Sequence, residues 1–182
     1  MPQSKVQAAR EGEAATLELQ HQIESFLFHE AELLDDRLFD DWLDLFTDET
    51  SYVVPIRRNV DYKNAERAVG APDELAHFDD DRTTLGYRVA RLKSEVDWSE
   101  QPATRTRRII GNVRVAPQSD GSRKVRSNFI LYANRLETRT HVFAGERHDR
   151  LVADEQGDWR IADRRVLLDQ SVILAPSLSV LF

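Results

Sequence analysis

Histidines and carboxylates are the side chains through which a cysteine-free chain could bind iron or move protons, so their spacing comes first. The 182-residue sequence has no cysteine and five histidines: His21, His29, His77, His141 and His148. Without cysteine there can be no disulfide, zinc ribbon, thiolate nucleophile or iron–sulfur cluster in this chain; even a Rieske centre takes two cysteines beside its two histidines. The histidines form no two-His-one-carboxylate set with recognisable spacing. His29 and Glu30 are neighbours on a predicted helix and diverge by about 100°. His148 and Asp149 are neighbours on a predicted strand and point to opposite faces. No catalytic, cofactor-binding or metal-binding residue is assigned.

Glu30 is the exception among the acids, because it falls inside an apolar stripe beside Phe26, Leu27 and Leu34. A carboxylate there must be paired, protonated or open to a polar cavity, since an unpaired buried charge costs several kcal/mol. The favoured reading is a buried ion pair. Its expected partner is Arg107, because a regular strand over 105–116 puts Arg107, Ile109, Val113 and Val115 on one face. The alternative is a general base in an enclosed pocket, with Asp40 and His141 as further acid–base candidates. A ligand-binding module without a reaction is a third reading.

Composition narrows the partners. The formal net charge is −7, although Lys and Arg together number 25. That balance disfavours nucleic acid, whose phosphates need concentrated positive charge. The run Arg105-Thr106-Arg107-Arg108 divides between two strand faces and lacks an interleaved aromatic platform. Ion pairing within the sheet or across a subunit boundary suits it better. There is no Gly-rich phosphate loop and no G-x-S-x-G elbow. No stretch approaches the roughly 18 to 20 apolar residues of a membrane span. The first residues lack the apolar core of a secretory signal, so a cytoplasmic location is expected.

The elements that must position these residues follow from periodicity. Residues 1–16 are expected to be a flexible leader, and 17–182 a single domain. Leu19, Ile23, Phe26, Leu27, Ala31 and Leu34 trace one face of a long helix. After Asp35-Asp36, Phe39, Trp42, Leu43 and Phe46 predict a second, shorter helix. Ser51–Ile56 reads as a strand, with Pro55 at an edge or a strand end. Residues 57–78 show no periodicity and predict a long surface excursion. Asp79-Asp80-Asp81 then favours a helix start ahead of Leu85, Val89 and Leu92. Four long strands follow, over 105–116, 124–134, 138–152 and 158–169, joined by short turns as in an antiparallel meander. Helices first and a large sheet after them mean α+β. The alternating apolar end, Ser177 to Phe182, must dock on its own sheet or on a partner.

Ordered along the chain, several segments carry a resemblance. They are His29-Glu30-Ala31-Glu32-Leu33-Leu34-Asp35-Asp36 with Asp41-Trp42-Leu43, then Tyr52-Val53-Val54-Pro55-Ile56-Arg57, then Arg88-Val89-Ala90-Arg91-Leu92. Trp98 to Arg108, running into Gly111-Asn112-Val113, is the most specific. Asn134-Arg135-Leu136-Glu137, Gly145-Glu146-Arg147-His148-Asp149, Arg164 to Gln170 and Leu178 to Phe182 complete the series. Together they resemble the β subunit of Rieske-type aromatic ring-hydroxylating dioxygenases, near the biphenyl, toluene and cumene group, over about residues 17–182. One departure is Leu181-Phe182, where the family often ends in two phenylalanines, a swap that packing tolerates.

The resemblance implies an α+β cone of the nuclear-transport-factor-2 (NTF2) or ketosteroid-isomerase type, its N-terminal helices packed in a strongly curved, mostly antiparallel sheet. It implies a structural subunit in a complex of three α and three β chains. The Rieske [2Fe-2S] cluster and mononuclear Fe(II) would lie in α, and ferredoxin and reductase would act through α. It implies no catalytic residue here. Contacts with α or with other β chains are expected from Arg57, Arg105, Arg108, Asn112 and Arg135.

Overall fold

The structure, a computed structural model, describes residues 15–71, 74–94, 102–136, 138–175 and 180–182. The expected leader up to Ala14, Pro72, Trp98 to Gln101, Glu137 and Ser177 to Ser179 lie outside these residues.

Helix α1 spans Leu17–Asp35 and starts where Thr16 caps it, the Oγ1 atom accepting the Leu19 N–H at 3.2 Å. A Schellman turn stops it. Arg37 takes the left-handed conformation at φ 61°, and Leu38 N–H donates back to Leu33 carbonyl at 2.8 Å. The buried stripe is Ile23, Leu27, Glu30, Ala31, Leu33 and Leu34, the expected face with its carboxylate included. Helix α2, Phe39–Leu43, is a single short turn. Phe46, expected on that helix, instead opens strand β1 (Phe46–Pro55). Its ring packs on Trp42 at 4.7 Å between centroids, so the helical spacing reflected a contact made across a turn.

Pro55 ends β1, which is an interior strand of the sheet. The expected excursion contains a 3₁₀-helix, Tyr62–Arg67, and an unannounced edge strand, β2 (Ala76–Asp80), antiparallel to β1. Asp81 caps helix α3 (Arg82–Lys93), whose Leu85, Val89 and Leu92 are buried as their spacing required. Strands β3 (Arg105–Pro117), β4 (Arg123–Arg135), β5 (Arg139–Ala153) and β6 (Trp159–Leu168) form the antiparallel meander. Strand β1 joins β6 in parallel, giving the order β2-β1-β6-β5-β4-β3. Gly145 faces inward where a Cβ would sit 2.2 Å from the Leu167 carbonyl oxygen, so the β5–β6 approach requires glycine there.

Two features of β3 position the interior. First, its register against β4 shifts between Gly111 and Arg114, and Asn112 bulges out at φ 53°. An extra residue reverses the alternation. Arg108 and Ile110 therefore point inward before the bulge, and Val113 and Val115 after it, while Arg107 and Ile109 face solvent. Second, β3 is a sheet edge whose free backbone groups are met by α1. The Arg108 N–H donates to Asp35 at 2.8 Å, and Gln20 donates to the Val113 carbonyl at 3.0 Å. The helix thus lies in the concave side of the sheet and blunts that edge.

Candidate functional site

Glu30 sits inside the concavity with no solvent exposure, and four donor groups converge on it. Arg164, from β6, donates through Nη1 to Oε1 and through Nη2 to Oε2 at 3.0 Å. Arg147, from β5, donates to Oε2 at 3.0 Å, and the Trp42 indole to Oε1 at 3.1 Å. Arg164 also grips Asp149, through Nε at 2.8 Å and Nη2 at 2.9 Å. The sheet explains the grouping, since Asp149 is in register with Arg164 across β5 and β6. Two guanidiniums and two carboxylates make a neutral buried set. That neutrality is what permits four ionised groups to leave water together.

The electrostatics follow from this arrangement. Burial alone would raise the Glu30 carboxyl, but Arg164 and Arg147 overcome it and hold the group at about 2. Burial likewise pulls Arg164 down, yet Asp149 and Glu30 carry it well above the ordinary guanidinium range. Tyr52, packed beside them, is pushed up to about 12, chiefly by burial. A general base needs a proton affinity near the working pH and a path to substrate. Glu30 has neither: it is ionised at neutral pH, and its oxygens already accept from Arg147, Arg164 and Trp42.

Aromatic rings fill the space around this network. Phe182 is fully buried, its ring 5.4 Å from Phe143, 5.9 Å from Phe129 and 6.3 Å from Phe78. Its backbone is clasped by Tyr52, whose hydroxyl donates to the Phe182 carbonyl at 2.7 Å and accepts the Phe182 N–H at 2.9 Å. Val180 and Leu181 are buried beside it. The apolar end therefore docks in its own core. The other acid–base candidates are elsewhere. Asp40 is an exposed partner of Lys93, and His141 lies six residues along β5 from Arg147, about 20 Å at strand rise.

Arg107 does not pair with Glu30; it is exposed, because the bulge turns it outward. Arg108, expected at a subunit surface, is instead buried. It pairs with Asp35 and donates to the Leu181 carbonyl at 2.7 Å, and burial brings it down to about 10 against the opposing pull of Asp35. Arg105 and Asn112 are exposed. Arg57 meets Asp169 at 3.0 Å, and Arg135 donates to the Pro102 carbonyl at 3.0 Å, both half-exposed. Replacing Arg108 by Met should cost the chain about 3 kcal/mol, whereas Arg107→Ala should stay within about 0.5 kcal/mol. Urea denaturation of the two variants decides this, and equal effects would contradict the inward placement of Arg108.

Arg147, Asp149 and Arg164 were not found by sequence reasoning, although a signal existed. On β5 they alternate with residues that belong inside: Phe143, Gly145, Arg147, Asp149 and Leu151 share a face. Arg164 likewise lies between Ala162 and Val166 on β6.

Comparison with known proteins decides the family. The family model for the ring hydroxylating beta subunit matches residues 29–175. The beta subunit of benzene 1,2-dioxygenase from Pseudomonas putida is 43% identical over 168 residues, covering 91% of this chain and 90% of the relative. The chain belongs to this family. The beta subunit of biphenyl 2,3-dioxygenase from Rhodococcus jostii is 42% identical, with 90% and 89% covered. A chain of naphthalene 1,2-dioxygenase superposes with a TM-score of 0.82 at 24% identity, covering 96% of this chain and 91% of the other. A scytalone dehydratase homologue from Novosphingobium aromaticivorans shares the fold at a TM-score of 0.59, 15% identity, and coverage of 87% and 91%. The fold is thus the NTF2-like α+β cone that the resemblance implied. The chain is a β subunit of an aromatic ring-hydroxylating dioxygenase, an oxidoreductase component that acts with an α subunit. The donor set here fits neither iron group of such an oxygenase. There is no cysteine for a Rieske cluster, and no group of three or more His, Asp or Glu that could hold a metal occurs among the described residues.

Proposed function

We propose that this β subunit is a non-catalytic scaffold in an α3β3 terminal oxygenase, with the Rieske cluster and the mononuclear iron in α. The complex combines an arene, dioxygen, NADH and a proton into a cis-dihydrodiol and NAD⁺, and its electrons enter α through a ferredoxin and reductase. The observation that carries the scaffold reading is the saturated state of Glu30. The acid at the centre of the cone is locked by Arg147 and Arg164, and Phe182 occupies the space beside it. Arg57, Arg105, Asn112 and Arg135 remain the side chains proposed for contacts with α or with other β chains. No helix among the described residues is long and apolar enough to cross a membrane, and the complex is proposed to work in the cytoplasm.

Purification of the tagged chain from a host that co-expresses the iron-bearing subunit tests this. The expected result is an equimolar complex that oxidises arenes, while the chain purified alone binds no iron and turns over no arene. Isomerase or dehydratase turnover by the isolated chain, or failure to capture an iron-bearing subunit, would overturn it.

A further inference from the structure

Arg147 and Ser127 carry donor groups that the network around Glu30 leaves unused. Both residues are without solvent exposure. Arg164 engages all three of its guanidinium nitrogens with Glu30 and Asp149. Arg147 engages only Nη1, with Glu30. Its Nε and Nη2 have no hydrogen-bond partner among the described residues, and neither has the Ser127 hydroxyl. Nε and Nη2 form one edge of the guanidinium plane, a fork that aims two N–H groups at a common acceptor. The Phe129 ring lies 5.4 Å from the guanidinium carbon, a contact with the positive charge that supplies no lone pair to either prong.

The sheet brings these groups together. Ser127 and Arg147 are direct cross-strand partners of β4 and β5 on the inward face. Side chains of such partners leave the sheet about 5 Å apart. One water with hydrogen bonds of about 2.9 Å on either side spans up to about 6 Å. Serine is also the small residue of its row, flanked on the inward face by Val125, Phe129 and Leu131. The row is therefore lowest opposite Arg147, where a water takes about 30 Å³. We propose that one integral water binds here, accepting from Nε and Nη2 of Arg147 and donating to Ser127 Oγ, so that it ties β4 to the Glu30 network.

Charge decides between water and an anion, the other small acceptor that suits a guanidinium fork. Arg147 and Arg164 already balance Glu30 and Asp149. An anion would leave this buried set with one negative charge in excess, which burial penalises heavily. A water satisfies the same donors without adding charge, and three polar partners are the usual number for a buried water. Burial draws Arg147 below the ordinary guanidinium range in spite of Glu30, and a water on the fork returns part of the hydration this cation has lost.

Crystals of the full-length chain that resolve ordered solvent test the proposal. The parent should show a single peak within about 3.2 Å of Arg147 Nε, Arg147 Nη2 and Ser127 Oγ. Crystals soaked in sodium bromide should show no anomalous peak there. Ser127→Ala should keep the solvent peak, because the fork still holds the water, and should lower Tm by about 3 °C. Ser127→Val should remove the peak and lower Tm by about 6 °C or more, since both prongs then lose their acceptor. The sign matters, because valine methyls that fill a dry void would raise Tm or leave it unchanged. No solvent peak in the parent would overturn the proposal, as would a Tm for Ser127→Val at or above that of the parent. A bromide peak on the fork would overturn it in favour of an anion. Should either variant fail to fold, the parent's solvent peak and the bromide soak still decide.

Discussion

Glu30→Gln should lower the stability of the β subunit by roughly 3 to 5 kcal/mol, because it leaves Arg147 and Arg164 buried against the single charge of Asp149. For a chain of this length that corresponds to a fall in Tm of about 10 °C. The assembled oxygenase, assayed below the lowered Tm, should turn over at its usual rate per intact complex. A double-mutant cycle supplies the control: Arg147→Met should cost much less in the Glu30→Gln background than in the parent, since the partner is already gone. An unchanged Tm together with lost turnover would instead make Glu30 an acid–base group.

The same carboxylate sets an acid limit. Its folded value of about 2 lies below the ordinary 4.5, so the unfolded chain takes up the proton first as pH falls. The contribution is complete above about pH 4.5 and is lost as pH drops toward 2. It amounts to about 3 kcal/mol at 1.36 kcal/mol per unit. Urea midpoints measured between about pH 5 and pH 3 should fall in the parent and fall less in Glu30→Gln, where this group no longer titrates.

Phe182→Ala should be the other severe change. The ring is wholly buried between Phe78, Phe129 and Phe143, and removing a buried aromatic side chain costs about 3 to 5 kcal/mol through lost transfer energy and the cavity left behind. Because Tyr52 holds the backbone of Phe182, the cavity should keep its shape instead of collapsing. A small apolar probe such as benzene should then recover part of the lost Tm, as a ligand that binds only the folded state does. A cost under about 1 kcal/mol would show that the end of the chain does not occupy the core in solution.

Both predictions concern residues whose importance the sequence revealed unequally. Glu30 was legible because a carboxylate interrupting a helical apolar stripe admits few explanations, and α1 kept that stripe almost unchanged. Its partners were not. Arg107 was inferred from strict alternation along β3, and alternation fails wherever one extra residue bulges. Asparagine tolerates a positive φ, but that tolerance alone does not single out Asn112 as that residue. Its positive φ is set by pairing with β4, a long-range event. The true partners, Arg147 and Arg164, do alternate with apolar neighbours, but charged residues in such positions read equally well as a surface until the opposite face is known.

By itself the sequence determined the helix-then-meander order, the absence of cysteine ligands and the family, since short-range periodicity, composition and ordered motifs are properties of the chain. Tertiary structure decided which arginines enter the core and whether Phe182 docks inward or on a partner. It also turned residues 76–80 into a strand, because a short segment acquires its pairing only from β1. The physical reason is shared. Pairing and burial depend on what arrives opposite, and that is settled by contacts distant in the chain, from β1 against β2 to Glu30 against Arg164 and Tyr52 against Phe182, the last two more than a hundred positions apart.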